Sequence, residues 1–228
     1  MKSIGLIGGM SWESTAHYYA VLNRETAARL GGLHSAPVIV YSVDFAPIEA
    51  MQRQGAWDAA GAELARIAQG LEAQGCGVIG LATNTMHICA PQIEAALTVP
   101  FLHIATPTAN ALIADGIVRV GLLGTRFTME KRFYIDVLER HGLEVLVPDV
   151  GVTNLNGIIY EELVKGIVRE ESRRLYVDAI ARLQARGADA VILGCTEIGM
   201  LIDDAVSPLP TYDTTALHAT ALVEAALN

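Results

Sequence analysis

The sequence predicts an α/β fold built on parallel sheets, and three observations lead there. Short apolar runs alternate with longer amphipathic ones along all 228 residues. The apolar runs are evenly hydrophobic instead of alternating with polar residues, as strands covered on both faces require. Several segments also recur at a nearly constant offset, so two similar halves are expected.

The strands expected from these runs are 3–7, 38–42, 78–81, 101–104, 118–123, 144–147, 190–193 and a short one near 209–212. Helical patterns fill the intervals at 13–30, 56–74, 88–97, 106–114, 128–140, 174–186 and 215–227. A strand–helix alternation of this kind buries the sheet between helical layers. GLIGG at Gly5–Gly9 is echoed by GLLGT at Gly121–Thr125, 116 positions later. The GLAT that ends at Thr83 is echoed by the ILGC that ends at Cys195, 112 positions later. VPFLHIATPTANAL from Val99 is echoed by LPTYDTTALHATAL from Leu209, 110 positions later. The expected halves are 1–98 with 209–228, and 99–208. No linker rich in Pro, Gly or Ser marks the join.

Composition narrows the function classes. Hydrophobic residues make up 52% and charged ones 18%, so a large core forms easily and disorder is excluded. With a net charge of −9 and few basic clusters, nucleic acid is not an expected partner. Arg173 and Arg174 follow Glu170 and Glu171, the pattern of a solvated helix face. MKSIGLIGGMSWES is too short and too broken by glycine for a secretion signal, and no apolar run reaches membrane-spanning length. A cytoplasmic protein with no membrane partner is the expectation. Cys76, Cys89 and Cys195 are too few and too scattered for a disulfide framework or a CxxC metal site. No HxxxH or HExxH pair occurs among the six histidines, so no metal is expected.

Ligands of open α/β sheets bind beyond the carboxyl ends of the strands. Four loops leave such ends here: GGMSWEST (8–15), TNTMH (83–87), GTRFT (124–128) and CTEIG (195–199). Each carries a hydroxyl, amide or thiol at a helix start, where free N–H groups favour a carboxylate or phosphate. The same Ser, Thr and Asn residues also suit plain helix capping. GLIGGMS has neither the GxGxxG spacing nor a following Lys-Ser/Thr, so a dinucleotide or P-loop site is not supported. Two readings stay open for Cys195. It is an inert core residue, or it is a reactive thiol whose pKa a helix N-terminus lowers. Cys76 and Cys89 read as structural.

GLIGGMSWEST, TNTMH and GCTEIGML together resemble the aspartate/glutamate (Asp/Glu/hydantoin) racemase family over essentially the whole chain. The resemblance implies two α/β domains related by a pseudo-twofold, an active site between them, no cofactor and a homodimer. It also implies one cysteine from each half, acting on opposite faces of the substrate α-carbon. Cys195 stands in one of those places, on the side that serves the L-enantiomer. Thr83 stands where the other cysteine belongs, and a hydroxyl is a far weaker acid than a thiol of pKa about 8.5. By the same resemblance Met10, Asn84 and Thr85 line the pocket from one half, and Thr125 and Thr196 from the other. Lys165 and Gln52 would meet the side-chain carboxylate, with Arg53 a rival to Gln52. Glu13 and Glu197 either bond within the site or support its loops. The implied activity is cofactor-independent racemisation of L-aspartate or L-glutamate, a small acidic amino acid in either case. Thr83 would relay a proton from water or His87, or only bind. The alternatives are a single-cysteine isomerase or decarboxylase of a dicarboxylate, and a non-catalytic carboxylate-binding protein.

Overall fold

A computed structural model describes all residues, Met1–Asn228. The elements run β1 (Ser3–Gly8), α1 (Trp12–Leu30), β2 (Val38–Ser42), α2 (Phe45–Gln54), α3 (Trp57–Ala73), β3 (Cys76–Leu81), α4 (Ala90–Ala95), β4 (Phe101–Leu102) and α5 (Ala105–Ala114). They continue with β5 (Arg119–Gly124), α6 (Arg126–Glu130), α7 (Arg132–Arg140), β6 (Glu144–Leu146), α8 (Val152–Glu161), α9 (Glu170–Ala185), β7 (Ala190–Gly194), β8 (Thr211–Asp213) and α10 (Thr214–Leu227). Three 3-10 turns lie at Thr85–Cys89, Leu163–Lys165 and Ile198–Met200. No helix is long and apolar enough to cross a membrane.

The strands form two four-stranded, all-parallel sheets, ordered β2-β1-β3-β4 and β6-β5-β7-β8. The second order repeats the first strand for strand, as the sequence echoes predict. The chain divides into two compact units, Met1–Ile104 with His218–Asn228, and Ala105–Leu217. The expected boundaries at 98/99 and 208/209 therefore move. Phe101 and Leu102 pair with Ile79 and Gly80 and complete the first sheet. Thr211–Asp213 pairs with Val191–Leu193 and completes the second. Backbone pairing thus claims both short strands for the half that precedes them.

In the first unit, Ile4 and Leu6 of β1 pack with Tyr18 and Leu22 of α1 and with Leu222 and Val223 of α10. Ile7 of β1, on the other face, packs with Ile48 of α2, Leu64, Ile67 and Leu71 of α3, and Ile93 of α4. Burial of each such side chain stabilises by about 1.5–3 kcal/mol. In the second unit, Val191 and Leu193 pack with Ile158 and Ile159 of α8 and with Ile180 and Leu183 of α9. Every expected strand is present within a few residues. The helical pattern at 128–140 is broken into α6 and α7 at the extended residue Lys131, and that at 88–97 opens with a 3-10 turn. Helices α2 and α8 were not expected.

Candidate active-site loops

Strand register brings the four loops out in adjacent pairs. In the first unit Ile7 pairs with Leu81, and Ala82 N–H donates to the Ile7 carbonyl at 2.8 Å. The 9–15 and 83–87 loops therefore leave side by side. Gly9 makes the first turn possible. Its φ is +92°, and a Cβ there would lie 2.2 Å from the Val43 carbonyl oxygen. In the second unit Gly124 pairs with Gly194, so Thr125 and Cys195 leave neighbouring strand ends. A Cβ on Gly194 would lie 2.6 Å from the Leu123 carbonyl oxygen, which fixes glycine directly before the cysteine.

Part of the hydroxyl chemistry on these loops is capping. Ser11 Oγ accepts from Ser14 N–H at 3.3 Å, and Thr15 Oγ1 accepts from Gly9 N–H at 2.8 Å while donating to the Ser11 carbonyl at 2.8 Å. Thr125 Oγ1 accepts from Thr128 N–H at 3.3 Å and opens α6. Two buried oxygens in the first turn of α1 have no hydrogen-bond partner, Glu13 Oε2 and Ser14 Oγ.

In the first unit the remaining expected residues gather on the 83–87 loop. Thr83, Asn84 and Thr85 are buried, and Met10 packs in one cluster with Ile48 and Met86. Gln52 is buried and its Nε2 donates to Met86 Sδ at 3.0 Å. Arg53 points outward, 71% exposed and paired with Glu49 at 3.0 Å, so of the two rivals Gln52 faces the loop. His87 is buried behind it. Its Nε2 accepts from Ile104 N–H at 3.1 Å, so the proton sits on Nδ1, which donates to the Thr83 carbonyl at 2.8 Å. Neither nitrogen remains for the Thr83 hydroxyl, and His87 drops out of the proton relay to Thr83.

In the second unit Cys195 meets Glu197. Cys195 Sγ donates to Glu197 Oε2 at 2.9 Å, and Thr196 Oγ1 donates to the same oxygen at 2.8 Å. All three residues are buried, with the Cys195 side chain among Leu123, Leu155 and Tyr176 of the core. Burial, then the Glu197 charge and its hydrogen bond, push the Cys195 thiol well above its ordinary range; the N–H groups of Thr196 and Glu197 pull the other way and lose. Of the two readings left open for Cys195, this environment opposes the one in which a helix N-terminus lowers its pKa. The element after Cys195 is a three-residue 3-10 turn, too short to carry much dipole against a carboxylate at contact distance. Burial first, then the neighbouring Cys195 and Glu197 groups, also raise Tyr176, whose hydroxyl donates to the Leu155 carbonyl at 3.1 Å. No sequence signal marked that tyrosine. Lys165 ends a 3-10 turn and is exposed.

The other two thiols sit in the first unit. Cys89 Sγ donates to the Trp57 carbonyl at 3.5 Å, and burial followed by Asp58 pushes it up to about 11. Burial also raises Cys76, the first residue of β3. No three His, Cys, Asp or Glu side chains come together in a metal-binding group.

The sequence profile of the Asp/Glu/Hydantoin racemase family matches residues 7–222. The chain belongs to that family. A candidate Asp/Glu racemase from Yersinia pestis is 49% identical, each chain covered over 100%, with a TM-score of 0.92. An aspartate racemase homologue from Pyrococcus horikoshii is 33% identical, again covered over 100% on both sides, with a TM-score of 0.86. The broad-specificity amino-acid racemase RacX of Bacillus subtilis is 28% identical over 67% of this chain and 66% of its own length. The matched stretch spans between 30% and 66% of the length of the curated relatives.

Proposed function

We propose that the chain is an amino-acid racemase acting on L-aspartate and L-glutamate without pyridoxal phosphate or metal. Cys195 is the acid–base group for the L-enantiomer, and Thr83 holds the opposite position. The observation that carries this reading is the 2.9 Å contact from Cys195 Sγ to Glu197 Oε2. A thiol held protonated by burial cannot remove an α-proton until something takes its own, and Glu197 is in contact to do so. The cycle then balances. The Cys195 proton passes to Glu197, and the thiolate abstracts the α-proton of the L-substrate. A proton from Thr83, or from a water that it holds, reaches the carbanion on the other face, and the site resets when Glu197 releases its proton to solvent and the Thr83 side takes one back. Met10, Asn84, Thr85, Thr125 and Thr196 line the site, while Gln52 and Lys165 receive the side-chain carboxylate. Membership of the family also supports a cytoplasmic homodimer.

The asymmetry between thiol and hydroxyl predicts one-sided turnover. Thr83→Cys raises turnover of D-aspartate more than that of L-aspartate, read by chiral chromatography of both directions. Equal gains, or none, would remove the one-sided account. Glu197→Gln separates the thiol's proton acceptor from a mere loop support. Turnover of L-aspartate falls by about 10²-fold. At the same time alkylation of Cys195 sets in at lower pH, because the charge that raises its pKa is gone. A loop support would slow both reactions together.

A single-cysteine decarboxylase uses the same Cys195 to protonate one face. It is told apart by CO₂ release from a malonate-type acid with no α-proton exchange in aspartate.

A further inference from the structure

The proposed cycle leaves His87 without a role, yet this buried side chain is bonded at both ring nitrogens and lies directly behind Thr83. We infer that His87 is a positioning residue that sets the Thr83–Asn84 peptide, and through it the Thr83 side chain, by holding the Thr83 carbonyl on Nδ1–H. The effect on turnover rests on the racemase reading above; the positioning itself does not.

The geometry leaves the loop little freedom on its inner side. Thr83 N–H donates to the Leu81 carbonyl at 2.9 Å, and His87 N–H donates to the Asn84 carbonyl at 3.1 Å. The Thr83 carbonyl is the group between them, and its partner is the imidazole at 2.8 Å. A peptide unit is planar and trans, so a carbonyl turned in toward His87 turns the N–H of Asn84 away from it. The imidazole is itself held by the N–H of Ile104, in the short turn that joins β4 to α5. Three rings pack against it, His103 at a centroid distance of 4.5 Å, Phe101 at 5.7 Å and His218 at 6.1 Å. Thr83 is thereby referenced to the β4–α5 turn through one side chain. Positioning of this kind matters most where a weak proton donor must meet a carbanion within hydrogen-bond reach.

Two substitutions divide the two bonds of the ring. His87→Asn keeps an N–H near the Nδ1 position and can still hold the Thr83 carbonyl. His87→Gln reaches the Nε2 position, where its amide oxygen can still accept from Ile104 N–H. Both leave a cavity and lose one bond, so both lower the melting temperature by similar amounts. For L-aspartate, H87N keeps kcat within about threefold of wild type, while H87Q loses about tenfold or more; KM changes little in either. Equal kcat loss in the two, or a greater loss in H87N, would overturn the inference. A second readout needs no activity. In ¹⁵N-histidine spectra of the wild type, His87 shows the Nδ1–H tautomer, and hydrogen exchange at Asn84–His87 accelerates in H87Q and not in H87N. An Nε2–H tautomer, or equal acceleration in both variants, would overturn it as well. A wild type without α-proton exchange in any amino acid sinks the racemase reading alone, and the tautomer and exchange data then decide the role of His87.

Discussion

Replacing Cys195 by serine lowers α-proton exchange from L-aspartate by about two to four orders of magnitude, the range one general acid–base group contributes. Serine keeps a donor toward Glu197 and differs from cysteine by one atom, so folding is little disturbed. The hydroxyl is nevertheless much too weak an acid to be made a base by a carboxylate 2.9 Å away. The melting temperature of C195S therefore stays near that of wild type while exchange is lost. Full activity in C195S would remove the thiol from the mechanism. A parallel loss of stability and exchange would reassign Cys195 to the core it also touches.

Acid unfolds the first unit earlier than its carboxylates alone would require. His87 and His218 are both buried and neutral. Burial, then the electrostatic influence of the neighbouring His103 and His218 rings, holds His87 well below the ordinary 6.5. Burial first, opposed by a bond to the Leu102 carbonyl and assisted by His103, pushes His218 down to about 3. The tautomer of His218 is fixed as well, because Nε2–H donates to the Leu102 carbonyl at 2.8 Å and Nδ1 accepts from Tyr18 Oη at 2.9 Å. The lowered pKa values set the sign. Above 6.5 neither the folded nor the unfolded histidines carry protons, and stability is whole. As pH falls below 6.5 the unfolded chain binds protons that the folded one refuses, and stability drops. Between pH 6.5 and 5 each histidine costs about 2 kcal/mol, or ~4 kcal/mol for the pair. Urea unfolding at pH 7.5 and pH 5 measures it, and His218→Asn cuts the loss by about half. Stability unchanged across that interval would show that the two rings take up protons in the folded state.

The sheets were legible because their strands are the most apolar segments and stand at constant offsets; β1 and β7 are buried almost throughout. Two helices were not. Pro47 in the first turn of α2 reads as a break, although a proline there costs no helical hydrogen bond. In α8, VTNLNGIIYE is rich in residues of low helix propensity, and the burial of Leu155, Ile158 and Ile159 overrides it. The candidate loops were legible as small polar residues after strand ends. Their electrostatics were not. Position alone put Cys195 beside a helix dipole, whereas the nearer charge comes from a side chain only two residues on. Whether Glu197 folds back onto the sulfur or turns to solvent depends on the 3-10 turn and the packing of Ile198, which sequence does not display. The burial of His87 and His218 was not legible, nor were their partners, the carbonyls of Thr83 and Leu102.

The most direct test of the account is proton NMR of the enzyme in D₂O with L-aspartate and then L-glutamate, followed by chiral analysis of each product. The account predicts loss of the α-proton signal together with appearance of the D-enantiomer, which requires a second face served from the Thr83 side. Exchange without D-product would leave Cys195 working alone on one face. No exchange with any acidic amino acid would contradict the racemase reading outright.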